Sequence, residues 1–334
     1  MAGAPAGGAE TFFVDLVSAL ARTGLDQRIA IRADAARAKM LFDAGLAVGQ
    51  LRFGGLFDLG TRRALRAAFE SERPSIVQSW MSRATQHCPR TEAVRVGWLG
   101  GYYPPRVVRH CDHVVGVTPD IVRHLREGGF AEERCHYLPT FATAQPAAAV
   151  SRASLDTPEG VPLVLALGRL HGKKGLDVLL RALAKVRNAW LWIAGEGPLR
   201  AELTALCTSL GLDGRVRFLG WRTDREALLA ACDVSVMPSR YEPFGTVMIE
   251  TWAARRPLIA AAAAGPKGLV RDGIDALLVP IDDVDALAGA LERVLGEPTL
   301  AAALAAEGFA VYQQRFTEAA VVRQYLDFYK RISA

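Results

Sequence analysis

Short apolar runs alternate with longer amphipathic runs along most of the chain. The short runs have the length of buried strands, and the longer ones repeat their apolar residues with a helical period. In the first half we predict strands at residues 28–31, 45–53, 74–80, 94–99, 113–117 and 135–138. In the second half we predict strands at residues 163–167, 189–194, 216–219, 234–237 and 258–262. Strands that alternate with helices form doubly wound parallel sheets, so the sequence predicts an α/β protein.

Length and composition indicate where the chain divides into domains. Its 334 residues suit two domains of about 150 residues each. Residues 142–160 are rich in Ala, Pro, Ser and Thr, which is typical of a linker. We therefore predict an N-terminal Rossmann-like domain over residues 1–145, a linker over 146–160 and a C-terminal Rossmann-like domain over 161–334. The prediction allows the last helix to pack back on the N-terminal domain.

A glycine-rich stretch, residues 1–8, leads directly into a predicted helix with apolar residues at positions 12, 13, 16, 17 and 20. A glycine loop that opens a helix usually follows a buried strand. We therefore expect the first strand of the N-terminal sheet to be missing. A short natural N-terminus is the alternative.

Charge and cysteine usage narrow the class of protein further. The net charge is +5, most of the excess lies in the first half, and no basic stripe is interleaved with aromatic residues. Such a modest excess is typical of an ordinary solvated surface, and an anionic lipid surface or a phosphorylated acceptor is the alternative. We do not expect nucleic acid as a partner. The five cysteines are scattered without C-x-x-C spacing, so we predict free thiols and a cytoplasmic location.

One stretch, residues 239–250, combines two carboxylates with a predicted helix start. Pro243 and Gly245 break regular structure after the strand at 234–237, and a helix-forming run follows. We predict that the helix starts between Phe244 and Thr246. The first amides of a helix and its dipole favour an anion.

The two carboxylates of this stretch lie on either side of the predicted helix start. Glu242 precedes it, and Glu250 shares a helical face with Thr246. This arrangement suits a ligand that has phosphate in its middle and hydroxyls at both ends, such as a nucleotide sugar. Two solvated glutamates beside an ordinary strand, loop and helix are the alternative.

A second loop adds positive charge after the strand at 163–167. Gly168-Arg169-Leu170 is followed by Lys174-Gly175. Two cations beside a glycine turn at the carboxyl end of a strand suit a pyrophosphate. A solvated basic loop is the alternative for this segment.

These two loops resemble the signature loops of family-4 retaining glycosyltransferases (glycosyl transferases group 1), and the similarity covers most of the chain. The resemblance implies the GT-B fold, in which two Rossmann-like domains face a cleft. It implies that Glu242 contacts the donor sugar and that Glu250 binds the ribose. It also implies that Arg169 and Lys174 neutralise the leaving diphosphate, so the predicted catalytic residues are Arg169, Lys174 and Glu242.

The predicted donor-binding set joins the two loops to the glycine-rich stretch and to the place where the base should lie. Its members are Gly8, Gly168, Arg169, Lys174, Trp221, Glu242, Phe244, Gly245, Thr246 and Glu250. On the acceptor side we predict residues that end strands of the first half, namely Trp80, Arg83, Gly101 and Tyr102. The chain departs from the family after Leu99, where many members carry a histidine and this sequence continues with Gly100.

The resemblance implies transfer of a sugar from a nucleotide-diphosphate sugar, with a UDP-sugar favoured, to a hydroxyl of a glycan or glycolipid. The expected pathway is synthesis of lipopolysaccharide or another bacterial surface polysaccharide, with peripheral contact to the inner membrane. We expect no cofactor and no metal, because Asp283 is a better helix N-cap than a ligand. A GT-B nucleotide-sugar 2-epimerase and a non-catalytic nucleotide-sugar-binding protein are the alternatives.

Overall fold

The computed structural model describes residues 1–4, 7–55, 58–143 and 147–333. Part of the predicted linker and part of the glycine-rich stretch, residues 144–146 and 5–6, lie outside the described residues. The chain forms two compact units. The N-terminal unit comprises Met1–Phe141 and Glu318–Ala334, and the C-terminal unit comprises Ala142–Thr317.

The N-terminal unit is built from parallel strands connected by helices. Its helices are α1 (Gly8–Ala21), α2 (Ala35–Asp43), α3 (Leu59–Glu72), α4 (Met81–His87) and α5 (Pro119–Glu127). Its strands are β1 (Arg28–Arg32), β2 (Ala47–Leu51), β3 (Ile76–Trp80), β4 (Val94–Leu99), β5 (His113–Gly116) and β6 (Cys135–Tyr137). The described strands form a two-stranded sheet, β1-β2, and a four-stranded sheet, β3-β4-β5-β6. The expectation of a missing first strand stays a prediction.

The C-terminal unit contains one six-stranded parallel sheet. Its strands are β7 (Leu163–Leu167), β8 (Trp190–Ala194), β9 (Val216–Gly220), β10 (Val234–Met237), β11 (Leu258–Ala261) and β12 (Leu277–Val279). They lie in the order β12-β11-β10-β7-β8-β9. The helices are α6 (Leu176–Lys185), α7 (Arg200–Ser209), α8 (Arg225–Ala231), α9 (Thr246–Ala253), α10 (Ala264–Leu269), α11 (Val284–Gly296) and α12 (Pro298–Arg315). Strands β7, β10 and β11 are buried along their whole length, which explains their near-continuous apolar sequence.

The last helix, α13 (Glu318–Ser333), belongs to the N-terminal unit. Its aromatic residues pack against the four-stranded sheet and form hydrogen bonds with it. The Trp98 indole nitrogen donates to the Tyr325 hydroxyl at 2.9 Å, and the Tyr329 hydroxyl donates to the Gln78 side chain at 2.9 Å. Burial of these aromatic rings supplies the apolar contact, while the two hydrogen bonds satisfy polar atoms that would otherwise be costly to bury.

No single helix of the described residues is both long and apolar enough to cross a membrane. Only a bent pair, α11 followed by the segment Pro298–Ser333, meets these criteria when its two parts are taken together.

A histidine pair beneath α13 makes the stability of the N-terminal unit depend on pH. The rings of His113 and His136 lie 3.0 Å apart at their nearest nitrogens, and Phe328 covers them. Burial, with smaller effects of His113 and Arg331, lowers the pKa of His136 to about 4. The unfolded chain therefore binds more protons between pH 6.5 and 4, so this contribution is complete above pH 6.5 and is lost as the pH falls.

We expect the free energy of unfolding of the N-terminal unit to fall by about 1 kcal/mol between pH 7.5 and pH 5, allowing for partial exposure of the ring. Urea unfolding at the two pH values measures this difference, and His136→Asn should reduce it. An unchanged pH dependence in His136→Asn would show that the histidine pair is not its source.

Candidate functional site

The strand order of the C-terminal unit marks a binding edge. From β7 the chain moves to β8 and β9 on one side, and it later returns to β10 and β11 on the other. Ligands of open α/β sheets bind at such a switch point, outside the carboxyl ends of the strands. Two loops flank it, the basic loop after β7 (residues 168–175) and the acidic loop after β10 (residues 238–245). The fold thus brings together the two segments that the sequence singled out separately.

An ion pair joins the two loops. The Lys174 ammonium donates to the Glu242 carboxylate at 2.5 Å, and both side chains are largely buried. Arg169, in the same basic loop, is exposed, and its side chain makes no hydrogen bond or ion pair with residues that the structure describes. Of the two predicted catalytic cations, Lys174 is therefore already paired with a carboxylate, and Arg169 is open to solvent.

Arg240 fixes the acidic loop against the basic loop. Its guanidinium makes two hydrogen bonds of 2.8 Å to the Asp177 carboxylate and one of 2.8 Å to the Gly172 carbonyl. It also donates to Asp282 at 2.6 Å, and its backbone amide donates to the Lys173 carbonyl at 2.8 Å. The hydrogen bond from Arg240 holds the pKa of Asp177 below its usual value. Bidentate pairs of this kind fix geometry, so Arg240 sets the spacing of the loops.

Helix α9 begins at Thr246, as the sequence predicts. Gly245 precedes it with φ 98° and ψ 63°, a left-handed conformation that favours glycine. No side chain caps the helix start. Its first amides consequently stay available for an anion at the switch point. Phe244, which comes just before Gly245, is buried, so only its backbone is suited to contact a ligand.

Glu250 lies one turn into α9 and is 14% exposed at its side chain. Its Oε1 accepts a hydrogen bond of 2.7 Å from Arg225. Its Oε2 is buried and has no hydrogen-bond partner among the described residues. Burial raises the pKa of Glu250, and Arg225 acts in the opposite direction. A buried acceptor without a partner is costly unless a ligand supplies a donor.

Trp221 follows β9 and is 73% exposed. An exposed aromatic ring offers a flat face on which a base can stack. Trp221 and Gly168 both follow strands whose carboxyl ends lie at the binding edge. The predicted donor-binding residues of the C-terminal unit therefore all follow strands of one sheet.

The remaining predicted residues belong to the N-terminal unit. Gly8 is the first residue of α1, Arg83 is exposed on α4, and Gly101 is buried after β4. Trp80 is only 3% exposed, because its ring packs against Phe13 and Trp98 at centroid distances of 5.1 and 4.4 Å. This burial argues against an acceptor contact by the Trp80 side chain.

Tyr102 is part of a polar cluster at the carboxyl end of β4. Its hydroxyl donates to Asp120 at the start of α5, and its ring meets His124 edge-on at 5.5 Å. Asp120 also pairs with Arg123. Thr118 caps α5, since its side chain accepts from the Ile121 amide at 3.2 Å.

The expectation of no metal concerns Asp283 in particular. Its carboxylate accepts from the Ala286 amide at 2.8 Å, so it caps α11 as predicted. Over the described ranges, no group of three or more His, Cys, Asp or Glu side chains is placed to hold a metal ion. The expectation that the protein needs no metal stays a prediction.

Sequence reasoning missed two residues of this site, Arg225 and Arg240. Each acts through a partner distant in sequence, Glu250 for the first and Asp177 for the second. Arg240 stands two residues before Glu242, and that position was a signal that could have drawn attention to it. Arg225 has no comparable signal, because its partner is known only once α8 and α9 have been placed.

Comparison with known proteins gives the family. Residues 6–144 match the family described as Glycosyltransferase Family 4, and residues 161–297 match Glycosyl transferases group 1. The lipopolysaccharide core biosynthesis glycosyltransferase LpsD of Rhizobium meliloti is 36% identical over 330 residues, which are 97% of this chain and 95% of LpsD. The chain is a family-4 glycosyltransferase. LpsE of the same organism is 34% identical over 328 residues, covering 96% of this glycosyltransferase and 95% of LpsE.

A solved structure agrees with the fold of this glycosyltransferase. Anabaena HepE in complex with UDP and glucose superposes with a TM-score of 0.82, covering 97% of this chain and 96% of HepE, at 22% sequence identity. The predicted GT-B fold with two Rossmann-like sheets is confirmed, as is the prediction that the protein is a glycosyltransferase.

Proposed function

We propose that this glycosyltransferase takes its sugar from a nucleotide-diphosphate sugar, with UDP as the nucleotide, and transfers it with retention of configuration. The observation that carries the proposal is Glu250 Oε2, a buried acceptor without a partner among the described residues, one turn along the helix whose first amides are uncapped. A ribose on Glu250 and a diphosphate at the start of α9 would satisfy both. The HepE complex with UDP and glucose supports UDP as the nucleotide.

Each polar group of the site has a role in this proposal. Arg169 and Lys174 stabilise the negative charge that develops on the leaving diphosphate, together with the amides at Gly245 and Thr246. Glu242 orients the donor sugar. Lys174 and Glu242 pair with each other in the structure. In this proposal, donor binding exchanges their ion pair for contacts with the diphosphate and the sugar.

The proposal needs neither a metal nor a covalent nucleophile. Two side-chain cations and a helix start supply the positive charge that a metal would otherwise bring to the diphosphate. The acceptor hydroxyl attacks the face that the diphosphate leaves, and a diphosphate oxygen takes the acceptor's proton.

The acceptor that we propose is a sugar hydroxyl of a lipopolysaccharide core or a related surface glycan. Two relatives that match nearly the whole chain, LpsD and LpsE, carry names that state lipopolysaccharide core biosynthesis. Contact with an anionic inner membrane would suit this acceptor. The exposed Phe42, Leu59 and Arg62 of α2 and α3 combine apolar and positive groups that such a surface attracts. Co-sedimentation with anionic and neutral vesicles would test that contact directly.

A thermal-shift panel of UDP, GDP, ADP and their sugars tests the donor proposal. We expect UDP and a UDP-sugar to raise the melting temperature, since ligand at about 100 times Kd adds about 2.7 kcal/mol of stability. The rise should disappear in Glu250→Ala and in Lys174→Ala. It should persist in Lys185→Ala, whose lysine pairs with Asp285 on α11.

Two outcomes would contradict this proposal. Stabilisation by GDP or ADP alone would exclude UDP, and no stabilisation by any of the nucleotides would contradict the donor site itself.

Products of a reaction without acceptor distinguish a transferase from an epimerase. Release of an isomerised nucleotide sugar would identify an epimerase instead of a transferase.

A further inference from the structure

Among the described residues, Arg225 is the one charged side chain that makes a direct hydrogen bond to the Glu250 carboxylate. It is the first residue of α8, which follows the loop that carries Trp221. Its Nη1 donates to Glu250 Oε1 at 2.7 Å and leaves Oε2 as the carboxylate oxygen without a partner in the described part of the chain. The two oxygens of Glu250 are therefore divided between a protein cation and the proposed ribose.

The protonation state of Glu250 decides whether its carboxylate can accept hydrogen bonds from both ribose hydroxyls. An ionised carboxylate only accepts hydrogen bonds, and the hydroxyls of a ribose can both donate to it. A protonated carboxyl group keeps one hydrogen and loses acceptor capacity. Burial favours the protonated form of Glu250, Arg225 favours the ionised form, and Glu226 on α8 favours the protonated form. Arg225 is thus the cation that opposes the effect of burial.

Arg225 also restricts the orientation of the carboxylate. Helix α9 fixes the Glu250 backbone, while the side chain itself can rotate. The hydrogen bond to Oε1 holds the carboxylate plane so that Oε2 keeps one position. Arginine suits this purpose because its guanidinium is always charged and its donors point in fixed directions.

We infer that Arg225 is a positioning residue for the donor ribose, which holds the Glu250 carboxylate by Oε1 and turns its Oε2 toward the ribose hydroxyls. The inference rests on the proposed function, because it requires that Glu250 bind the ribose. Arg225 acts through Glu250 and needs no contact of its own with the nucleotide. The inference assigns a role to a residue outside both signature loops.

Calorimetric binding of UDP and of 2′,3′-dideoxy-UDP, at pH 8 and pH 6, tests this inference. We expect Arg225→Gln to weaken UDP about tenfold at pH 8, in line with the loss of a hydrogen bond to a charged group. The loss should be larger at pH 6, because burial favours the protonated form of Glu250 and Arg225 no longer opposes it. Dideoxy-UDP should bind equally to both proteins. Arg225→Lys should recover only part of the affinity for UDP, because lysine restores the charge but not the fixed direction of the donors. If the nucleotide panel selects GDP, GDP and its dideoxy form replace this pair.

Two further variants separate positioning from other effects. In a Glu250→Gln background, Arg225→Gln should cause no additional loss, because Arg225 acts through the carboxylate. Arg293 lies on α11 and makes an exposed ion pair with Glu297. Arg293→Gln removes this positive charge and should leave UDP binding unchanged.

The inference is overturned if Arg225→Gln binds UDP as tightly as the parent protein at both pH values. It is also overturned if UDP and dideoxy-UDP lose affinity equally, or if the loss persists in the Glu250→Gln background. These results leave the donor proposal intact, provided the parent protein prefers UDP to its dideoxy form. A parent protein that binds both forms equally would instead contradict the ribose role of Glu250, and the inference would fall with it.

Discussion

Replacing Lys174 by methionine is expected to lower kcat for sugar transfer about a hundredfold to a thousandfold. Methionine keeps most of the length of the side chain and removes the ammonium that we propose to stabilise the leaving diphosphate. Losses of this size are typical when a preorganised electrostatic contact to the transition state is removed. Release of UDP from a UDP-sugar, followed with an acceptor glycan present, measures the effect. We expect KM to rise as well, since the proposed role of Lys174 includes contact with the bound diphosphate.

Lys174 pairs with Glu242 at 2.5 Å, so its loss has a structural consequence that must be separated from the catalytic one. Lys174→Met leaves a largely buried carboxylate without its cation, which lowers stability. The double variant Lys174→Met/Glu242→Gln removes that unpaired charge and should regain stability without regaining activity. Recovery of activity in the double variant would show that Lys174 has a structural role and not a catalytic one. Activity within twofold of the parent protein in Lys174→Met alone would contradict its catalytic role.

Much of this glycosyltransferase was predictable from the sequence because several of its strands are buried along their whole length. The near-continuous apolar runs of β7 and β10 stand out from the amphipathic helices that follow them. The start of α9 was also predictable, because Pro243 and Gly245 interrupt regular structure just before it. These signals are local, and the structure agrees with them to within a residue or two.

Other elements left no local signal. Strand β12 has three residues, too few to show a period, and the helix α10 contains Gly265, Pro266 and Gly268, which together predict a loop. Helix α4 starts directly after β3 with Met81 at φ 60°, so no loop residues in the sequence indicate where it begins. For such short elements the position of the neighbouring chain decides the structure.

Side-chain direction explains the weaker part of the site prediction. Trp80 ends β3 and therefore lies at the edge where ligands bind, yet its ring turns into the aromatic core. The position of a residue at a strand end is a property of the sequence pattern, whereas the direction of its side chain depends on which helix covers the sheet. The pairs Arg225–Glu250 and Arg240–Asp177 depend in the same way on long-range packing.

The second large effect is expected from Gly175→Ala, at the end of the basic loop. Gly175 has φ 62° and precedes α6, and a Cβ atom there would lie 2.0 Å from the carbonyl oxygen of Pro238. Pro238 opens the acidic loop, so the two loops must separate to admit one methyl group. We expect the melting temperature to fall by several degrees and UDP affinity to fall at least about tenfold, because relief of the clash moves the Lys174 and Glu242 loops apart.

Gly211 provides a matched control for this variant. It has nearly the same conformation, φ 67°, and nothing lies within 4 Å of a Cβ atom added there. Alanine at either position pays the cost of the left-handed conformation, about 1–2 kcal/mol, which corresponds to about 2–4 °C per kcal/mol in a unit of this size. Gly211→Ala should show only this cost and should bind UDP normally. The difference between the two variants therefore measures the contact between the loops, and equal UDP affinity in both would contradict the argument that their close approach builds the donor site.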